Sequence, residues 1–317
     1  MDRFIGLIGL GYWGKNILRN LYELGVLHTA CDFSHEVIEE RKRSFPEVSY
    51  TTDFNDLLSN SEIKAIAIAT PAVTHYELAK KALLAGKDVF VEKPMTTSVK
   101  EGEELVKIAE ERNKIIMVGH ILQYHPAVTK LKELISQGLI GEIIYIYSHR
   151  VNVGKIRTDE NVWWSLAPHD VSLILMLTEK MPKRIYYQGL SYITKGIDDI
   201  ALASLEFENG IRGHIFVGWW HPYKEQKLVV IGSKGMLIFD DTTEEKLFLY
   251  PHKVEWNNGI PVAKKEEMQV IPVEKKEPLK EELLHFIECV KERKSPRTDV
   301  YEGLRVLKVL EKITSDG

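Results

Sequence analysis

Short, almost wholly apolar runs alternate with amphipathic stretches through the first 120 residues of the chain. The runs Gly6–Gly9, Leu27–Cys31, Ala65–Thr70, Asp88–Val91 and Ile115–Val118 predict strands. The stretches between them, notably Thr74–Ala85 and Val99–Arg112, predict helices. Strands apolar on both faces and separated by helices form a parallel sheet covered on both sides. Right-handed crossovers bring the carboxyl ends of such strands to one edge. After Gln123 the pattern changes. Ala127–Ser136 keeps helical spacing, and Ile143–Val151 reads as a long strand. Arg184–Tyr192, Ile200–Glu206, Ile211–Trp219, Lys227–Ile231 and Met236–Phe239 follow as further strands. Asn209-Gly210 marks a hairpin, and Gly232-Ser233-Lys234-Gly235 punctuates the next pair. A helix is expected at Val171–Leu177. Glu281–Val290 and Glu302–Ile313 close the chain with leucine stripes at helical spacing.

The first strand runs straight into Gly9, Gly11 and Gly14 and then into a helical pattern. In that setting the first glycine permits a tight turn, the second lets the backbone approach a pyrophosphate, and the third lets helix and strand pack closely. The helix that follows aims free N–H groups and its positive dipole end at the phosphates. Asp32 ends the second strand about 20 residues further on, where a carboxylate accepts both ribose hydroxyls and repels a 2′-phosphate. No Arg follows it immediately, and Arg41, Lys42 and Arg43 lie further along in a helical pattern. NAD is therefore expected over NADP, with a surface-turn aspartate as the alternative. The expected fold is α/β: a Rossmann NAD-binding domain over residues 1–122, then an α+β substrate domain over 123–317 with a large, mostly antiparallel sheet. The closing helices are free to pack back on the first domain, and the large sheet makes self-association plausible.

At 317 residues with 44% hydrophobic positions, the chain is long enough for two such cores. A net charge of −4 gives no basic footprint for nucleic acid. The strand beginning at Phe4 leaves no room for a signal peptide, and no run of eighteen apolar residues suggests a membrane span. A cytoplasmic protein is expected. Cys31 and Cys289 belong to no metal-spacing pattern, nor do the histidines, so no catalytic metal is expected.

Three groups of residues could do chemistry. Glu92-Lys93-Pro94 follows the Asp88–Val91 strand at the cofactor edge. Lys93 could stabilise charge developing on a substrate oxygen, Glu92 could hold that lysine, and Pro94 would stiffen the turn. A solvated loop pair is the other reading. In Trp163-Trp164-Ser165-Leu166-Ala167-Pro168-His169-Asp170, a histidine stands at the expected start of an apolar helix. That position would disfavour imidazolium and suit His169 to remove an alcohol proton. A structural histidine is equally compatible. The looser third group is His120, Gln123, Tyr124 and His125, with Arg212 and Trp219–Lys224. His120 would lie near the nicotinamide, and Arg212 would either pair with a phosphate or stand beside a hairpin. Thr70 and Pro71 close their strand at the cofactor edge, where Thr74 and His75 begin the next helix.

The Gly9-Leu10-Gly11-Tyr12-Trp13-Gly14 turn, the Glu92-Lys93-Pro94 triplet and His169 before a large sheet together resemble the glucose-fructose oxidoreductase / inositol dehydrogenase (Gfo/Idh/MocA) family along essentially the whole chain. The resemblance implies binding of NAD or NADP and oxidation or reduction at a sugar hydroxyl or carbonyl. It makes Lys93 the catalytic lysine and His169 the catalytic histidine. Tyr12, Trp13, Thr70, Pro71, His75, Glu92, Lys93 itself and His120 fall to the cofactor, and Tyr124, Trp164, Ser165 and Arg212 to the substrate. It further implies that the second sheet is a substrate wall and commonly a subunit interface, in homodimers or homotetramers. Many relatives carry aspartate four residues before the histidine, where this chain has Ser165. Three consequences are open: His169 and Lys93 suffice, another carboxylate (Asp170, Asp198 or Asp199) takes the role, or the scaffold binds without rapid turnover. Trp164–Asp170, Gly232-Ser233-Lys234-Gly235 and Phe239-Asp240-Asp241 look most similar to nucleotide-sugar dehydrogenases, which oxidise C3 of UDP-N-acetylglucosamine or its uronic acid. A free aldose or inositol dehydrogenase and a non-catalytic NAD(H)-binding sensor are the competing readings.

Overall fold

A computed structural model describes residues 3–315 apart from 155 and 159, with side chains to residue 312. The apolar runs of the first stretch become β1 (Ile5–Ile8), β2 (Leu27–Cys31), β3 (Ser49–Thr51), β4 (Ala65–Ile68), β5 (Asp88–Glu92) and β6 (Ile116–Gly119). They form one sheet in the order β3-β2-β1-β4-β5-β6, every pairing parallel. All residues of β1, β4, β5 and β6 are buried, as strands covered on both faces must be. Helices α1 (Gly14–Glu23), α2 (His35–Ser44), α3 (Phe54–Ser59), α4 (His75–Leu84) and α5 (Val99–Arg112) connect them. Ser34, Asp53 and Ser98 cap α2, α3 and α5 by accepting from backbone N–H groups of the first turn. The short β3 and α3 carry too few periodic positions to announce themselves in the sequence.

The second sheet is larger. After α6 (Pro126–Ser136) come β7 (Ile143–Val151), α7 (Val162–Thr178), β8 (Arg184–Leu190), β9 (Ile200–Glu206), β10 (Arg212–Gly218), β11 (Glu225–Gly232), β12 (Met236–Asp240) and β13 (Leu247–Tyr250). A separate two-stranded hairpin, β14 (Lys253–Asn257) and β15 (Ile260–Lys264), precedes the short β16 (Gln269–Val270). The sheet order is β16-β13-β12-β11-β7-β10-β9-β8, antiparallel throughout except where β7 meets β10. Alternation along most strands gives it two faces. Ile146, Ala201, Ala203, Leu205, Ile215, Val217, Leu228, Val230, Leu237 and Phe239 are buried. The ring-rich face carries Tyr145, Tyr147, His149, His214 and Phe216, with Tyr147 and His214 stacked at 5.0 Å.

One expectation is overturned here. α7 runs from Val162, not Val171, so Pro168 and His169 lie inside the helix rather than at its start. Asn161 supplies the cap, accepting from the Trp164 N–H at 3.0 Å. Proline is favoured at a helix start, which is why Pro168 invites the wrong boundary. The interior site is tolerated at the cost of one backbone hydrogen bond. The dipole argument for a neutral His169 falls with that correction.

Two closing helices, α8 (Pro278–Glu292) and α9 (Val300–Ser315), end the chain. The molecule divides into two compact units: Met1–Ile121 with Glu277–Lys308, and Leu122–Lys276 with Val309–Gly317. In the first unit Phe286 of α8 packs on Phe90 of β5 with ring centroids 5.7 Å apart. Arg293, just beyond α8, donates to Asp88 at 2.6 Å, and Thr298 both donates to and accepts from the Val118 backbone. No helix among the described residues is long and apolar enough to cross a membrane.

Candidate active site

In the first unit the strand order reverses between β1 and β4, the place where open parallel sheets bind ligands. A cavity of about 310 Å³ lies there, lined by residues of the glycine turn, Asp32 and Thr70-Pro71. A Cβ on Gly14 would stand 1.9 Å from the Gly9 carbonyl oxygen, so helix and strand can approach only without a side chain. A Cβ on Gly11 would meet no atom of the chain within 4 Å. The open space at Gly11 faces outward, as a backbone that receives a pyrophosphate requires. No side chain caps the first turn of α1 and no acidic residue lies in it, so its positive end is not neutralised within the helix. These residues fit a dinucleotide.

Asp32 is shaped by the same turn. Its Oδ2 accepts from the Leu10 N–H at 2.7 Å and its Oδ1 from the Ser34 N–H at 2.9 Å. Those bonds fix the carboxylate beside the cavity and leave lone pairs for ribose hydroxyls. Arg41, set aside in the sequence as belonging to a distant helix, folds back so that its Nε donates to the Leu10 carbonyl at 3.1 Å. Its sequence distance hid that approach. Tyr12 is exposed.

Trp13 ties the glycine turn to the Glu92-Lys93-Pro94 triplet. Its indole Nε1 donates to Glu92 Oε1 at 2.5 Å, and Glu92 Oε2 accepts from the Lys93 N–H at 3.3 Å. The triplet therefore stands at the mouth of β5 against the cofactor turn. Glu92 is buried, and burial pushes its carboxyl up to about 7, against the opposing pull of the Trp13 bond and the Lys93 and His120 charges. Lys93 is half-buried, so a freely solvated pair does not describe it. The Lys93–Pro94 peptide is cis.

His75 and His120 stand behind this edge. The His75 ring lies between the Pro94 and Thr70 carbonyl oxygens, at 2.8 and 2.9 Å, and braces the triplet against the end of β4. Burial lowers its pKa. The Thr70 and Thr74 hydroxyls are bonded at 2.6 Å. His120 Nδ1 lies 2.6 Å from the buried Glu302 of α9. Glu282 of α8 is also fully buried. Neither glutamate was singled out in the sequence. Their signal was a carboxylate at a stripe position: Glu282 sits with Leu279, Leu283 and Phe286, and Glu302 with Val306, all buried.

In the second unit α7 places Ser165 and His169 one turn apart on one face, with the half-buried Trp164 beside them. Gln123 donates to Ser172 Oγ at 2.8 Å, bringing the segment that carries the buried Tyr124 against the same helix. Asp170 points elsewhere. It is completely buried and paired with Arg150 of β7 at 2.9 and 3.0 Å, with Ser148 Oγ donating at 2.5 Å. Asp198 accepts from Tyr187 and Ser191, and Asp199 from two backbone N–H groups. All three carboxylates considered as replacements for the missing aspartate are thus engaged in holding the fold. Arg212 stands at the β9–β10 hairpin, 3.6 Å from Glu206 and bonded to turn carbonyls.

The family description "Oxidoreductase family, NAD-binding Rossmann fold" matches residues 4–120, and "GFO/IDH/MocA C-terminal domain" matches residues 128–238. The chain is 28% identical over 315 residues to UDP-N-acetylglucosamine 3-dehydrogenase of Acidithiobacillus ferrooxidans, covering 95% of this chain and 93% of that protein. It is 41% identical over 224 residues to the uncharacterised oxidoreductase sll0816 of Synechocystis, covering 58% of each. It is also similar to 2,7-anhydro-N-acetylneuraminate hydratase of Mediterraneibacter gnavus, 25% identical with 74% and 66% covered. Among solved structures, the A. ferrooxidans enzyme superposes with a TM-score of 0.86 at 24% identity, covering 98% of this chain and 95% of that one. The WlbA dehydrogenase of Bordetella pertussis, in complex with NADH and UDP-GlcNAcA, does so at 0.82 and 21% identity, covering 99% and 96%.

Proposed function

Because the chain belongs to the Gfo/Idh/MocA oxidoreductase family and binds NAD(H) on its Rossmann unit, we propose that it oxidises the C3 hydroxyl of a UDP-N-acetylhexosamine or its uronic acid. The observation that carries the reading is the Trp13–Glu92 bond, which seats Lys93 at the edge where the dinucleotide turn opens. The UDP-sugar assignment rests on similarity along 95% of the chain to a UDP-N-acetylglucosamine 3-dehydrogenase.

The bound dinucleotide supplies the hydride acceptor. Lys93 steadies the negative charge that grows on the substrate oxygen as hydride departs. His169 takes the hydroxyl proton, held in place by α7 rather than activated by a helix end. Ser165, one turn before it, supplies a neutral hydroxyl to the substrate. His169 and Lys93 carry the proton and charge work without a third carboxylate, since Asp170, Asp198 and Asp199 are bonded elsewhere. Trp164 offers an aromatic surface for sugar or base. Arg212 serves the diphosphate only by leaving Glu206. Self-association through the ring-rich face of the second sheet follows from the family resemblance and is read by light scattering.

The test incubates the purified protein with NAD and either UDP-N-acetylglucosamine, its uronic acid or the matching free sugars, and reads products by mass spectrometry. A product lighter by two hydrogens from the UDP sugar alone is expected. Turnover of free sugars only would replace this reading with a polyol dehydrogenase. Lys93→Ala and His169→Ala should each retain NAD binding and lose roughly 10²- to 10⁴-fold in turnover.

A further inference from the structure

The first unit holds a buried carboxyl that neither the fold nor the proposed reaction uses. Glu282 is 0% exposed, and neither of its carboxylate oxygens has a hydrogen-bond partner among the described residues. Burial there strongly disfavours the ionised carboxylate. A buried carboxyl without a partner in an apolar stripe calls for an explanation, and a use for its proton or its charge is one.

Its surroundings define that use. Phe286 of α8 packs on Phe90 of β5, with Glu282 one turn before the first ring and Glu92 two residues after the second. Among the described residues the charge that bears on Glu282 is that of Glu92, itself buried and bonded to Trp13 of the glycine turn. Glu92 in turn feels Lys93 on its own element and His120 from the end of β6. His120 is paired with Glu302 of α9, and His75 on α4 feels Lys93. The cluster is therefore three buried glutamates, one lysine and two histidines. Two like charges sharing a desolvated site do not both ionise. Burial pushes both carboxyls up, and the charge of Glu92 raises Glu282 further.

We infer that Glu92 and Glu282 share one proton, and that the pair releases it when the oxidised cofactor brings a positive ring to this edge and regains it when that ring is neutral. Glu282 is thus a positioning residue. It acts through Glu92, matching the charge of the pocket floor to the redox state of the cofactor. The inference rests on the cofactor placement above. The sign follows from electrostatics: a positive ring beside the pair favours the doubly ionised form and lowers its pKa. NAD+ affinity should then rise with pH through the window between the bound-state and free-state pKa values. The rise is at most about tenfold per pH unit for one proton, and it levels off above the free-state value. The neutral ring of NADH gives no such rise.

The experiment is calorimetry of the full chain at neutral pH with NAD+ and with NADH, each in two buffers of different ionisation enthalpy, repeated on Glu282→Gln. The expected result is proton release with NAD+ in excess of that with NADH, lost in Glu282→Gln. Equal proton counts for the two cofactors in the wild-type protein would overturn the inference without any variant. So would undiminished release in Glu282→Gln that melts like wild type. Failure to bind either cofactor would overturn the cofactor placement itself, a result distinct from binding without proton release.

Discussion

The two oxygens of Asp32 are held by backbone N–H groups of the turn and of Ser34, which makes it the residue on which to test cofactor choice. A carboxylate fixed in this way pays little to accept two ribose hydroxyls. Asp32→Ser should weaken NAD binding by roughly 10- to 100-fold, the loss of one or two charge-assisted bonds. It should narrow the preference over NADP, with Arg41 already at the Leu10 carbonyl. Fluorescence titration with both cofactors checks this. At this scale the sequence marked its candidates wherever they followed a strand: the glycine turn, Asp32 and Lys93 each stand just after an apolar run. Glu282 and Glu302 were not legible, because they reach this edge from the far end of the chain. A single carboxylate in a leucine stripe reads as a surface position until its neighbours are known.

Among the elements, α7 and β7 are joined by the buried Arg150–Asp170 pair. The two nitrogen–oxygen contacts and the Ser148 hydroxyl satisfy charges that would otherwise be stranded. Asp170→Asn or Arg150→Met alone should cost about 3–5 kcal/mol, since each leaves its partner buried and unpaired. The double variant Arg150→Met with Asp170→Leu should recover most of that loss. Urea midpoints of the three proteins decide it. Strand positions with alternating burial were readable from the sequence, as in Ile143–Val151 and Ile200–Glu206, which the structure reproduces residue for residue. The α7 boundary was not, because Pro168 carries a stronger start signal than Asn161, although Asn161 makes the cap. The exposed β14–β15 hairpin escaped because its residues mix apolar and charged types on faces that no other strand covers.

For the whole molecule, the decisive fact is that the dinucleotide unit is drawn from both ends of the chain. Phe286, Leu283 and Ile287 of α8 are buried within it, and Thr298 pairs with the edge strand β6. A chain ending at Lys276 should therefore lose NAD binding and become insoluble or expose apolar surface to a hydrophobic dye. An outcome of soluble, NAD-binding protein from that truncation would mean that the closing segment is dispensable. The composition pattern showed two kinds of fold in sequence, but only the contacts of α8 and α9 show where the first one finishes.

The same arrangement sets an order in time. As the chain leaves the ribosome, the opening six strands emerge first but lack α8 and α9. Residues 122–276 must follow before α8 is made. At about 5–20 residues per second, that interval lasts roughly ten to thirty seconds. For its duration, the apolar parallel sheet stands without the closing helices that belong to its unit in the finished fold. Yield in a cell should then respond to translation speed and holdase supply as well as to the stability of the finished fold.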